Sequence, residues 1–132
     1  MGGFSAEKVI SLKSGKVALK FLDKNKYNVF AVIIDNEGWR LEKDGKSYLI
    51  NKSDFSVNID NQKIKFDGVF MAIHGTPGEN GVLQHYLDNL EIPYTCSGAK
   101  ASELSFDKGA CNDFLRNFDK VHKVWSSQCS KP

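Results

Sequence analysis

The sequence has no apolar stretch long enough to cross a bilayer. Its longest unbroken run, Val29 to Ile34, is six residues, against the ~20 that a spanning helix needs. The N-terminus lacks the basic and apolar regions of a secretory leader, so a cytoplasmic protein is expected. Charge of one sign is equally scarce. Eighteen Lys and Arg face sixteen Asp and Glu for a net +2, and the lysines are scattered, which argues against a nucleic-acid groove or a polybasic membrane patch. Only three cysteines occur, Cys96, Cys111 and Cys129. No two are close enough for a zinc knuckle or a redox pair, so reduced structural thiols are expected. There is no internal repeat and no low-complexity segment.

What is there suits one domain with a real core: 132 residues, 41% hydrophobic and 26% charged. Ser11, Gly15, Ala18 and Leu22 recur at helical spacing and form a face of mostly small side chains, suited to lying close against a sheet. "VFAVIID" reads as a buried strand. The following stretch, with Asn-Glu-Gly and Lys-Asp-Gly turns around Trp39, Leu41, Tyr48 and Ile50, reads as a small antiparallel excursion. "FDGVFMAIHG" reads as a second buried strand in which Phe70 and Met71 belong to the core. A helix follows through Val82, Leu83, Tyr86, Leu87 and Leu90, then a short strand after Pro93, then helices over "AKASELSF" and "DKGACNDFLRNF". The final "KVHKVWSSQCSKP" has no stable period and reads as a frayed or interrupted element. The alternation of strand and helix predicts an α/β fold, an open parallel sheet flanked by helices in a Rossmann-like arrangement.

Two loops fall at the expected carboxyl ends of strands, where open α/β sheets bind ligands. The first is Gly2-Gly3-Phe4-Ser5-Ala6-Glu7. The second is His74-Gly75-Thr76-Pro77-Gly78-Glu79-Asn80-Gly81. A dinucleotide fingerprint is a weak match: Gly2 and Gly3 are adjacent and a third glycine is missing, although Asp35 ends a strand. No Gly-Lys-Ser/Thr ending supplies a Walker loop. Glu7 has two readings. It can be a carboxylate at a helix N-terminus, worth ~0.3–1 kcal/mol, or a counter-ion for a substrate ammonium, and spacing alone favours the first. His74 can close a strand as a satisfied polar group or face a carboxylate or phosphate; its flanking glycines favour the second. Glu79, after Pro77, reads as capping or beginning a helix. His85 and His122 have no evident partner and read as surface residues.

Taken together the loops are not generic. "GGFSAEKVISLKSG" and "HGTPGENGVLQHYLDNLEIPYTCSGAKASELSFDK" resemble the N-terminal domain of D-alanine–D-alanine ligase, a member of the ATP-grasp superfamily. Ser11-Leu12-Lys13-Ser14-Gly15, Ile92-Pro93-Tyr94, Ser97-Gly98 and Asp107-Lys108 stand in the family's order, and the likeness covers roughly residues 1–118. It implies an enzyme of peptidoglycan precursor synthesis. ATP phosphorylates one D-alanine, and the amine of a second attacks the acylphosphate. By position, Glu7 would hold the ammonium of the first D-alanine and His74 would orient its carboxylate and the transferring phosphoryl group; these two are the implied catalytic residues. Ser11 and Gly75 would complete the substrate contacts, and Lys108 would touch the nucleotide. No metal ligand is expected in this chain. ATP and magnesium are implied for the family enzyme, with their main binding residues elsewhere. A homodimer is compatible with the resemblance, since ligases of this family commonly pair through this domain.

Two departures are mild: Lys8-Val9 after the glutamate, and Asn80 for the commoner aspartate. The larger one concerns extent. A strand is expected before the Gly2-Gly3 turn, where only Met1 stands, and the family continues well beyond Lys108. The chain therefore reads as the substrate domain without its first strand (residues 1–105) and the beginning of an ATP-grasp domain (106–132), inactive by itself. A stand-alone amino-acid-binding module and a gene fragment without function are the alternative readings.

Overall fold

The structure, a computed structural model, describes residues 1–118; the terminal "KVHKVWSSQCSKP", with His122 and Cys129, lies outside the described residues. Helix α1 spans Lys8–Phe21, and five strands follow: β1 (Ala31–Asp35), β2 (Gly38–Lys43), β3 (Lys46–Asn51), β4 (Ser56–Ile59) and β5 (Gln62–Lys65). Helices α2 (Val82–Asn89), α3 (Ala99–Phe106) and α4 (Lys108–Leu115) complete the elements of the described residues. Among the described residues no helix is long and apolar enough to cross a membrane.

The expected α/β class stands, but the regular sheet is antiparallel rather than parallel. Its strands lie in sequence order, β1-β2-β3-β4-β5, and each pairs antiparallel with the next. The reason is local. Asp44 and Gly45 (φ +51° and +75°) turn β2 into β3, and Asp60 and Asn61 (φ +49° and +64°) turn β4 into β5. Two consecutive residues at positive φ make the hairpin turn whose twist matches the flanking strands. Successive strands joined this way must run antiparallel. What was expected as a small excursion is thus most of the sheet.

Parallel pairing survives at two isolated bridges, Gly2 with Ile34 and Val69 with Tyr94. Met1 O accepts from Ile34 N at 3.0 Å and Gly3 N donates to Ile34 O at 2.7 Å, so residues 1–3 run beside β1. The Met1 amine donates to Val32 O at 2.9 Å, and burial lowers its pKa to about 6. The stretch expected as a second buried strand, "FDGVFMAIHG", forms no regular strand. Val69 alone makes a bridge, and Phe70 is 54% exposed while Met71 packs against the core.

The core is built on the inner face of the sheet. Ile34, Leu41, Ile50, Phe55, Val57 and Ile59 meet Ile73 and the Leu83 and Leu87 side chains of α2. Trp39, Phe55 and Tyr86 interlock edge to face, with Trp39 and Tyr86 centroids 4.9 Å apart. The Tyr86 hydroxyl donates to Lys52 O at 2.7 Å, fixing the helix over the hairpins. Helix α1 instead lies over the N-terminal residues: Ser11 and Gly15 are its buried positions, as the small-residue face predicts. A Cβ at Gly15 would strike the Met1 side chain.

Candidate functional site

Asp35, the last residue of β1, anchors the rim from below. Its side chain is only 1% exposed and accepts both Arg40 guanidinium nitrogens, Nη1 at 2.7 Å and Nη2 at 3.1 Å. Lys8 Nζ approaches at 2.8 Å and the Glu37 amide at 3.0 Å. The Arg40 hydrogen bonds hold this carboxyl well below the usual carboxylate range, against the opposing cost of burial, with Lys8 and the Glu37 amide adding to the effect. Lys8 begins α1, so the ion pair pins the helix start to the strand end. Asp35 is thereby committed to structure and unavailable as a ribose acceptor, which agrees with the poor dinucleotide match.

Above this anchor the two glycine-bearing loops meet. Phe4 N donates to Thr76 O at 2.9 Å. The Glu7 amide donates to Ser5 Oγ at 3.2 Å, and Ser5 Oγ donates to His74 O at 3.4 Å. In the opposite sense, the His74 amide donates to Ser11 Oγ at 2.9 Å, and Ser11 Oγ donates to Glu7 O at 3.2 Å. Two serine hydroxyls thus join the backbones of Glu7 and His74, each accepting from one residue and giving to the other. Ser11 is wholly buried, so its two bonds satisfy groups that water does not reach.

The side chains follow from this backbone. Gly75 has φ +70°, and a Cβ built there would lie 2.8 Å from Ser5 Oγ and 2.9 Å from Glu7 Oε2. The Glu7 carboxylate therefore rests over Gly75, one residue from His74, so both expected catalytic residues share one rim. Glu7 occupies the N-cap position of α1 but makes no side-chain cap bond, so its carboxylate is not spent on the helix. His74 Nε2 lies 3.1 Å from Ser14 Oγ, and Nδ1 lies 3.7 Å from Glu79 Oε1. Sequence reasoning missed Ser5, Ser14, Lys8 and Asp35 as parts of this assembly. The spacing Ser11-Ser14 on one helix face was the available signal.

Three expectations need correction. Helix α2 begins at Val82 with Gly81 as its N-cap, so Glu79 neither caps nor begins it and instead faces His74. His85 is exposed but partnered, with Nε2 3.0 Å from Glu103 Oε1 on α3. Phe70 lies outside the core. Lys108 starts α4, exposed, behind the Asp107 cap that accepts from Ala110 N at 3.0 Å. It makes no hydrogen bond or ion pair to Glu7, Ser11, His74 or Gly75. Cys96 and Cys111 are free thiols. Among the described residues no group of three or more His, Cys, Asp or Glu could hold a metal ion.

A five-stranded sheet covered by helices, with a carboxylate and an imidazole brought to one rim by a turn into a helix and a glycine-rich loop, defines an α/β domain. The chain belongs to the family described as the D-ala D-ala ligase N-terminus, whose family model matches residues 1–97. It is similar to the D-alanine–D-alanine ligase of Azobacteroides pseudotrichonymphae genomovar. CFP2, 46% identical over 118 residues, covering 89% of this chain and 36% of that protein. The D-alanine–D-alanine ligase of Flavobacterium psychrophilum is 44% identical over 119 residues, covering 90% of this chain and 36% of the relative. Among solved structures, the D-alanyl-alanine synthetase A of Vibrio cholerae superposes with a TM-score of 0.77 at 32% identity, covering 88% of this chain and 35% of that one. The chain spans about a third of the length of the curated relatives it matches.

Proposed function

We propose that this chain supplies the D-alanine-recognition rim of an ATP-dependent D-alanine–D-alanine ligase, with Glu7 and His74 as its working residues. The observation that carries the reading is the double serine relay that locks their backbones together on one rim. An amino-acid zwitterion needs one fixed anion and at least one donor, a few ångströms apart. The Glu7 carboxylate meets the ammonium, His74 meets the carboxylate, and Gly75 lets the ligand approach the backbone. Ser11 contributes by holding the two residues in register, since its hydroxyl is already used twice within the chain. Glu7 acts by orientation: fixing the first D-alanine turns encounter into positioning, the effect that lets a second amine attack at a defined carbonyl.

The nucleotide and magnesium do not fit within these residues. Lys108 is exposed, and among the described residues no group of three or more His, Cys, Asp or Glu that could hold a metal ion accompanies it. Beyond a nucleotide contact at Lys108 in the larger assembly, no step through ATP falls to this chain's described residues. The division into a substrate domain (1–105) and the beginning of the next domain (106–132) belongs to the same proposal; the family model covers residues 1–97. A cytoplasmic location and a homodimer through this domain belong to the same proposal and rest on the family likeness.

The test is a chimera in which this chain replaces the aligned segment of the Azobacteroides ligase. It is expected to form D-Ala-D-Ala, with KM for D-alanine raised at least tenfold by Glu7→Gln. A chimera that folds and binds ATP but makes no dipeptide would overturn the assignment.

A further inference from the structure

The imidazole of His74 has a polar neighbour at each nitrogen, a hydrogen-bond partner at Nε2 and a longer contact at Nδ1. Ser14 Oγ lies 3.1 Å from Nε2, one turn along α1 from the Ser11 that holds the His74 amide. Glu79 Oε1 lies 3.7 Å from Nδ1. A serine hydroxyl can give or accept a proton, but an ionised carboxylate can only accept. The two contacts are compatible in one sense: the proton sits on Nδ1, facing the carboxylate, and the Nε2 lone pair accepts the Ser14 hydroxyl. The reverse tautomer would aim the Nδ1 lone pair at a negative charge.

We infer that Ser14 is a positioning residue that, together with Glu79, holds His74 as the Nδ1–H tautomer, the carboxylate selecting the protonated nitrogen and the Ser14 hydroxyl donating to Nε2, so that the ring presents an N–H donor on the side where Glu79 now stands. This deepens the proposed reading of the site and rests on it for its purpose. A ligand carboxylate arriving at the rim becomes the acceptor for Nδ1–H, at the place of the long and exposed Glu79 contact. Glu79, 52% exposed at its side chain, can swing into water without loss of a short hydrogen bond. Ser14 stays on Nε2 throughout and keeps the ring from flipping. The serines at positions 5, 11 and 14 thus act on one histidine together, the first two holding its backbone and the third orienting its ring.

The inference is tested on the ligand-free 132-residue chain, so its failure is separate from any failure of D-alanine binding. Long-range 15N–1H spectra in alkaline buffer, with the His74 ring assigned by loss of its signals in His74→Gln, report which nitrogen carries the proton. The expected result is a pyrrole-type Nδ1 and a pyridine-type Nε2. Ser14→Ala is expected to move the population toward the Nε2–H form, and Ser14→Thr to restore the original pattern. Alanine is the stronger helix former, and retention of the amide spectrum checks the fold. Should Ser14→Ala not fold, Glu79→Gln serves as the second variant, expected to reduce the Nδ1–H population. An Nε2–H tautomer in the unmodified chain, or a tautomer ratio unmoved by the folded variant, overturns the inference.

Discussion

Glu7 and His74, far apart in sequence, are tied backbone to backbone by two serine hydroxyls running in opposite senses: Glu7 N–H to Ser5 Oγ to His74 O, and His74 N–H to Ser11 Oγ to Glu7 O. The two residues therefore move as one unit. A rim assembled this way needs no ligand to bring its carboxylate and imidazole together.

Removing the buried hydroxyl breaks one arm of this link. Ser11→Ala leaves the His74 amide without its acceptor and is expected to cost ~1–3 kcal/mol, the usual penalty for stranding a buried polar group. Urea denaturation should show a lowered midpoint with an unchanged slope. In the chimera, KM for D-alanine should rise as Glu7 and His74 lose their register.

Gly75→Ala combines two faults. The position has φ +70°, and the new methyl would press on Ser5 Oγ and Glu7 Oε2. A non-glycine residue held in the left-handed region costs ~1–3 kcal/mol. Denaturation should register that loss. In the chimera kcat/KM should fall further than for an equally destabilising substitution elsewhere, because the Glu7 carboxylate is displaced directly.

Asp35→Asn removes the charge that Arg40 and Lys8 share. Arg40 then keeps only its longer contacts to Glu37 at 3.3 Å and Glu42 at 3.7 Å, and loss of the buried carboxylate is expected to destabilise by less than the ~3–5 kcal/mol of a wholly uncompensated buried pair. The same residue sets an acid limit. Its carboxyl is held well below the ordinary range in the folded chain, so its contribution is complete above the unfolded aspartate value. It is lost as pH falls through and below that range. The Met1 amine adds a second window by the same rule. Its pKa is lowered from 8.0 to about 6, so its unprotonated form favours the folded state above pH 8 and that advantage drains away as pH falls toward 6. Denaturation midpoints measured from pH 8 downward should decline in two stages, and Asp35→Asn should flatten the acid one.

The unfused chain is expected to make no D-Ala-D-Ala with ATP and magnesium, since the rim lacks a nucleotide site among its described residues. A coupled ADP-release assay checks this, and dipeptide formation by the chain alone would contradict it.

Much was legible in the linear order of residues. Short-range physics wrote the helix through the small-residue face of Ser11, Gly15 and Ala18, the turns at Asn36-Glu37-Gly38 and Lys43-Asp44-Gly45, and the two glycine-bearing loops that carry Glu7 and His74; the Asp60-Asn61 turn was not read from the sequence. Each depends on neighbours within a few positions, and backbone propensity and side-chain volume decide it there. The parallel sheet was misjudged because an apolar run such as "VFMAI" states that a segment is buried or extended without stating what it pairs with. Likewise the partners of Ser5 and Ser11 lie 69 and 63 residues away, and that of Ser14 lies 60 away. A hydroxyl carries no mark of its partner, and neither does the edge of a strand. Hydrogen bonds form with whatever the closed chain brings within about 3 Å, so the tertiary structure alone decided the Lys8–Asp35 pair, the parallel bridges of residues 1–3 and 69 and the serine relay.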